Sequence, residues 1–161
     1  MNPSEIRFAV DRMLGRLARM LRLLGYYTLD ANDMTAAQLL AIARSGERVV
    51  LTRGETAQRF PRLDKVLSLK SEYPPEQLRE VVERLGLDAR SGLWTRCTLC
   101  NAPIERVEKA AVEALVEAKI FQLYEEFYRC TGCGHVYWRG SHVDRILRKL
   151  AFLREVEESR S

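Results

Sequence analysis

A chain of 161 residues suits one ordinary hydrophobic core plus a small appendage, so two unequal domains are the expected architecture. The formal net charge of +4 and a pI near 9.0 favour polyanionic partners, an excess too mild to prove nucleic-acid binding on its own. No apolar run approaches membrane-spanning length and no segment resembles a targeting signal, which argues against a membrane protein and makes a cytoplasmic location the expectation.

The first half alternates short apolar runs with amphipathic stretches. Residues 6–10 read as a strand ending at Asp11, 14–24 as a helix, 26–29 as a strand, and 35–44 as a helix opened by a threonine cap. Residues 48–52 and 66–69 read as further strands, and 75–85 as a helix with proline in its first turn and Gly86 after its end. This βαβα order with short connections implies an α/β domain: a parallel sheet covered by helices on both faces, with ligands gathering at the carboxyl ends of its strands. Asp11 and the run Thr52-Arg53-Gly54-Glu55 stand at those ends and are expected to approach one another.

At about 100° per residue, Leu14, Leu17, Leu21 and Leu24 share one face of the first helix. Arg12, Arg16 and Arg19 lie opposite, with Arg22 on a flank. Such a stripe is either a solvated face or a row of phosphate contacts. Arginine supplies 21 of the 26 basic residues, and its planar fork suits bidentate phosphate binding, although genomic base composition also enriches it. Asp11 could be a helix cap or a metal ligand, and the two roles are compatible.

Residues 87–94, containing Asp88, Ser91 and Gly92, read as a linker into the second domain. All four cysteines fall into two Cys-x-x-Cys pairs, Cys97/Cys100 and Cys130/Cys133, which supply four thiolates to one tetrahedral site. Structural zinc is the leading reading. A thioredoxin-like motif needs only one pair and two disulfides need an oxidising compartment, so redox chemistry or another soft metal stand behind it. Residues 107–121, between the pairs, read as an inserted amphipathic helix. With four sulfurs closing the tetrahedron, His135 and His142 are not needed as ligands. Tyr137 and Trp138 either pack over the knuckle, the favoured role, or stack on exposed bases, with Arg139 and His142 as phosphate contacts beside them. Residues 143–158 read as a final helix whose stripe of Ile146, Leu147, Leu150 and Leu153 docks on the ribbon or the sheet.

Four blocks resemble the PIN-like family known as the Mut-seven C-terminal RNase domain: the Asp11-to-Gly25 run, Val49-Val50-Leu51-Thr52-Arg53, Arg96-Cys97-Thr98-Leu99-Cys100-Asn101, and Phe127 through His142. The resemblance implies a three-layer α/β/α PIN-like domain over residues 1–88 and a small zinc-ribbon domain with a C-terminal helix over 89–161. It further implies a divalent-metal-dependent ribonuclease whose carboxylates hold magnesium or manganese. Asp11 matches the first of those carboxylates. Gly54 stands where the family usually has aspartate after Leu-Thr-Arg, and Ala36 where an acidic residue opens the second helix, so Asp33 and Glu55 are the remaining candidates to assist Asp11. Asp30 lies on the same connection as Asp33. Arg12, Arg16, Arg19, Arg22, Arg53, Arg139 and His142 are the expected RNA contacts, and Cys97, Cys100, Cys130 and Cys133 the zinc ligands. The alternative is a non-catalytic module that grips RNA or a ribonucleoprotein on a degenerate nuclease fold.

Overall fold

The computed structural model describes residues 5–30, 32, 34–54, 58, 63–152 and 158, apart from the side chains of residues 141–143 and 146. Strand β1 (Arg7–Val10) leads through a 3-10 turn (Arg12–Leu14) into α1 (Gly15–Leu23), followed by β2 (Tyr27–Asp30), α2 (Ala36–Ser45), β3 (Val49–Arg53), β4 (Val66–Leu69) and α3 (Pro74–Leu85). The four strands pair in parallel in the order β2-β1-β3-β4.

Alternation along the strands sorts the core into two layers. Phe8, Val10, Val49 and Leu51 pack with Leu17 and Leu21 of α1 and Leu78 and Val82 of α3, whereas Ala9 and Val50 pack with Leu39 and Ala43 of α2. The sheet therefore carries helices on both faces. All four leucines of the α1 stripe are at most 1% exposed, and burial of each contributes about 1.5–3 kcal/mol. Helix α2 starts at Thr35, whose hydroxyl accepts from the Gln38 N–H while the Gln38 side chain accepts from the Thr35 N–H. Its N-terminus thereby sits at the carboxyl edge of the sheet.

The second unit is an antiparallel ribbon of β5 (Ile104–Val107), β6 (Phe127–Cys130) and β7 (Val136–Tyr137), in that order. The inserted helix expected over 107–121 does not form. Val107 instead ends β5 opposite Phe127, and the chain continues through a 3-10 turn (Lys109–Val112) and a short helix α4 (Ala118–Leu123). The four-residue spacing of Val112, Val116 and Ile120 mimics a helical stripe. The surface to be covered is, however, a small core of Val112, Phe127 and Val136, and two short turns wrap it better than one straight rod.

Helix α5 (Ser141–Lys149) is the described part of the expected 143–158 helix, and Leu153 lies outside the described residues. Leu150 is buried in the core of the parallel sheet, with Phe152 packed against it, so the tail docks on the sheet unit. The connection over 87–94 is likewise fastened down. The Tyr26 hydroxyl donates to the Asp88 carbonyl at 2.7 Å and the Trp94 N–H to the Leu23 carbonyl at 3.0 Å. At Gly25 (φ +93°) a Cβ would come within 2.4 Å of the Gly92 carbonyl oxygen, so only glycine allows this approach. Among the described residues no helix is long and apolar enough to cross a membrane.

Candidate functional site

Asp11 sits where β1 ends, its N–H donating to the Leu51 carbonyl of β3 at 2.9 Å and its carbonyl accepting from the Leu14 N–H at 2.8 Å. Its side chain makes no capping hydrogen bond, so the helix-cap role is not realised. Asp11 is 6% exposed and, among the described residues, its Oδ2 has no hydrogen-bond partner; Thr52, fully buried, has an equally unpartnered Oγ1. Because Val10 pairs with Leu51, Asp11 and Thr52 occupy adjacent positions at the carboxyl edge, both on the α2 side of the sheet by strand alternation. Two orphaned polar atoms are thus neighbours where sequence placed the site. Asp33 and Glu55 lie outside the described residues. Asp30 ends β2 in register with Val10, on the α1 side, where it accepts two hydrogen bonds from Asn32 at 3.1 Å.

Gly54 follows β3 with φ +65° and open space around it among the described residues, and Ala36 is the exposed first residue of α2. The left-handed backbone at 54 is a physical reason for glycine there.

The arginines divide into three groups. Arg12, Arg16 and Arg19 are exposed along α1 and its preceding turn, and none has an acidic partner among the described residues. Arg53 is paired with Glu72, and Arg139 with Asp144 at 3.6 Å. The side chain of His142 is outside the described set. Arg22 departs from expectation: it is buried, and its guanidinium donates to the carbonyls of Thr28 (2.7 and 3.0 Å) and Thr98 (2.9 Å) and to Asn101 Oδ1 (3.1 Å). Burial lowers its pKa from the ordinary value, with Asp30 and Cys97 opposing. An arginine so engaged fastens two units together and is not free to meet phosphate.

The four cysteine sulfurs lie within 4.8 Å of one another, with Cys97 to Cys133 at 3.8 Å and Cys100 to Cys130 at 3.3 Å. Sulfurs at about 2.3 Å from one tetrahedral zinc would be about 3.8 Å apart, so the set can hold one metal ion and is consistent with zinc. Burial opposes ionisation of Cys130, but N–H groups of Cys133 and Gly132 and the Cys100 thiol outweigh it and pull Cys130 down to about 6. The Tyr137 hydroxyl lies 2.9 Å from Cys97 Sγ, and burial together with that sulfur pushes the phenol up to about 12. His135 is exposed, set edge-on against Tyr137, and is not among the grouped ligands.

The two knuckles share one backbone plan. Cys97 N–H donates to the Ala102 carbonyl and Cys130 N–H to that of His135, and each turn closes on a left-handed residue, Asn101 (φ 72°) and Gly134 (φ 75°). Only the first carries a side chain there. Asn101 Oδ1 accepts from the Thr28 N–H at 2.9 Å and its Nδ2 donates to the Thr28 carbonyl at 2.8 Å, pairing with the open edge of β2 as another strand would. Arg96 adds hydrogen bonds to the carbonyls of Gly25 and Asn101 and lies over the Tyr27 ring at 5.3 Å. Sequence reasoning missed this clamp. Its one visible signal was asparagine directly after Cys100, at a position whose counterpart is glycine.

A groove of about 530 Å³ opens between α1 and the ribbon, with Arg16, Arg19 and Met20 on one side and Trp94, Tyr137 and Trp138 on the other. Tyr137 and Trp138 also pack as expected, Tyr137 on Trp94 and Trp138 beside Phe127.

These features define an α/β/α domain with, among the described residues, one buried open carboxylate at its strand ends, joined to a ribbon whose cysteines can bind a metal. The chain belongs to the Mut7-C RNase domain family, whose model matches residues 6–150. Membership in an RNase family implies RNA as substrate and agrees with the resemblance carried by the four sequence blocks. No curated protein and no solved structure matches the chain.

Proposed function

We propose that this protein is a PIN-like RNA-binding ribonuclease in which residues 1–88 carry a reduced acidic site centred on Asp11, and residues 89–161 form a zinc-stapled ribbon that completes the RNA-receiving surface. The observation that carries the reading is the unpartnered Asp11 Oδ2 beside the unpartnered Thr52 Oγ1. Buried polar atoms are almost always satisfied, and leaving one bare costs about 1–3 kcal/mol. A cation at that edge supplies the missing partner, and an acidic oxygen with a hydroxyl is the hard donor chemistry that magnesium or manganese takes.

Asp11 would hold the ion, assisted by Asp33 or Glu55. The ion, when bound, supplies activation of water and neutralisation of phosphoryl charge. The chain's own work is positioning. Arg12, Arg16 and Arg19 bind the RNA backbone along α1, and Arg53 and Arg139 can exchange Glu72 and Asp144 for phosphate. Arg22 holds the ribbon against the sheet.

A second reading, a module that grips RNA or a ribonucleoprotein without cutting, is favoured by one observation. Among the described residues the cysteines form the only group of three or more metal-ligating side chains, and no carboxylate trio surrounds Asp11. Manganese-dependent cleavage of end-labelled single-stranded RNA, with chelator controls and matched preparations, separates the two. Slow cleavage that disappears in Asp11→Asn is expected. Cleavage that survives Asp11→Asn would reject the site, and RNA binding with no manganese-dependent cleavage would select the module.

A further inference from the structure

The groove between α1 and the ribbon joins two features that neither unit has alone. Its floor is apolar, built from Met20 and Leu23 of the sheet unit and from Trp94, Tyr137 and Trp138. At its lip stand Arg16 and Arg19, one turn apart, exposed and without an acidic partner among the described residues. Two bare guanidinium groups above an aromatic floor are complementary to a ligand that is anionic along one side and flat and apolar along the other.

We infer that this groove is a base-binding subsite for single-stranded RNA: one unstacked nucleobase lies against the Trp94–Trp138 wall while the phosphates flanking it rest on Arg16 and Arg19. The inference rests on the RNA reading above and is independent of whether the RNA is cut. The volume falls within the range of about 300–1,000 Å³ usual for ligand pockets. Bases in a duplex are stacked on one another and unavailable to such a wall, so the ligand is single-stranded. Arg12, Arg16 and Arg19 continue the line from Asp11 along the helix. Three positions of 3-10 turn at about 2.0 Å and five of α-helix at about 1.5 Å put Arg19 about 14 Å from Asp11 at most, so the subsite lies within a short tract of the strand from the acidic edge. The zinc-stapled knuckles supply one wall and the clamp of Arg22, Asn101 and Thr28 fixes its distance from the other, giving the ribbon a part in choosing the substrate.

Both tryptophans of the chain line the groove, which makes the test direct. The zinc-loaded full chain is titrated with a short oligouridylate and with an abasic ribose-phosphate chain of the same length, following fluorescence anisotropy of a label on the oligomer and intrinsic tryptophan emission together. The base-bearing chain is expected to quench tryptophan emission and to bind about 5- to 100-fold tighter than the abasic chain, the range that stacking of one base on aromatic side chains provides. Trp138→Phe, which keeps a ring against Phe127, should narrow that gap, and Arg16→Ala with Arg19→Ala should weaken both chains alike while lowering the salt slope by about 1.4. Binding of both chains with equal affinity and no quenching would overturn the subsite and leave the RNA reading intact. Absence of binding to either chain would overturn both.

Discussion

The protein contains two polar centres built on opposite principles. At the knuckles, four sulfurs converge within 4.8 Å, amide N–H groups and the Tyr137 hydroxyl support them, and the polar atoms around them bridge to the sheet through Asn101, Arg22 and Arg96. At the sheet edge, Asp11 and Thr52 each present a buried oxygen that no described residue satisfies. A closed donor set fastens structure, whereas a catalytic site must keep positions open for water and substrate. The difference teaches where each centre can act: the satisfied one holds the two units together, and the other, on the proposed function, would be left to its ligands.

The largest effect should come from breaking the closed centre. Zinc in such a site contributes folding free energy on the order of 10 kcal/mol, so Cys130→Ser is expected to lose the metal and unfold the ribbon while the sheet unit keeps its helices. Elemental analysis and limited proteolysis check it together. Full zinc content with an intact ribbon would show that the fourth sulfur is dispensable.

A finer break compares the two knuckles. Asn101→Gly keeps the left-handed turn but leaves the Thr28 N–H unpaired and takes one hydrogen bond each from the Thr28 carbonyl and the Arg22 guanidinium, which keep their bonds to one another, a loss of about 2 kcal/mol. Gly134→Asn places a side chain in the same backbone state, 3.4 Å from the movable Arg129 Nη2, and should cost about 1 kcal/mol or less. Urea midpoints of the two variants measure the asymmetry directly, and equal losses would mean that the clamp contributes little.

At the sheet edge, Gly54→Asp sharpens the comparison by adding to the open centre. The position has φ +65° with nothing within 4 Å of a Cβ, and aspartate tolerates that region better than most residues, so the expected cost is about 1 kcal/mol. Several-fold faster manganese-dependent RNA cleavage should accompany it. A folded variant no more active than its parent would argue that position 54 does not face the ion.

Much of this organisation is legible in the sequence because it is local. Period-two and period-3.6 patterns define the parallel sheet and its helices, threonine and glycine mark their ends, and two Cys-x-x-Cys pairs announce the knuckles. What escaped reading is long-range. Arg22 sits on the flank of an otherwise solvent-facing stripe, and its partners 76 and 79 positions away make it a tie between the two units. The stretch after Val107 carries a helical apolar spacing that belongs instead to the curvature of a very small core. The open state of Asp11 depends on which atoms fail to meet it, and no sequence pattern encodes that.

On the proposed function, Asp11 is held bare for a cation. Manganese titration of the zinc-loaded chain, followed by the electron paramagnetic resonance of free manganese and paired with urea unfolding, tests this in wild type and in Asp11→Asn. One manganese site per chain is expected in addition to the zinc, lost in Asp11→Asn, with stability unchanged or raised by about 1 kcal/mol because a bare buried carboxylate has been replaced by an amide. Manganese binding that persists in Asp11→Asn, or a marked loss of stability in that variant, would contradict it.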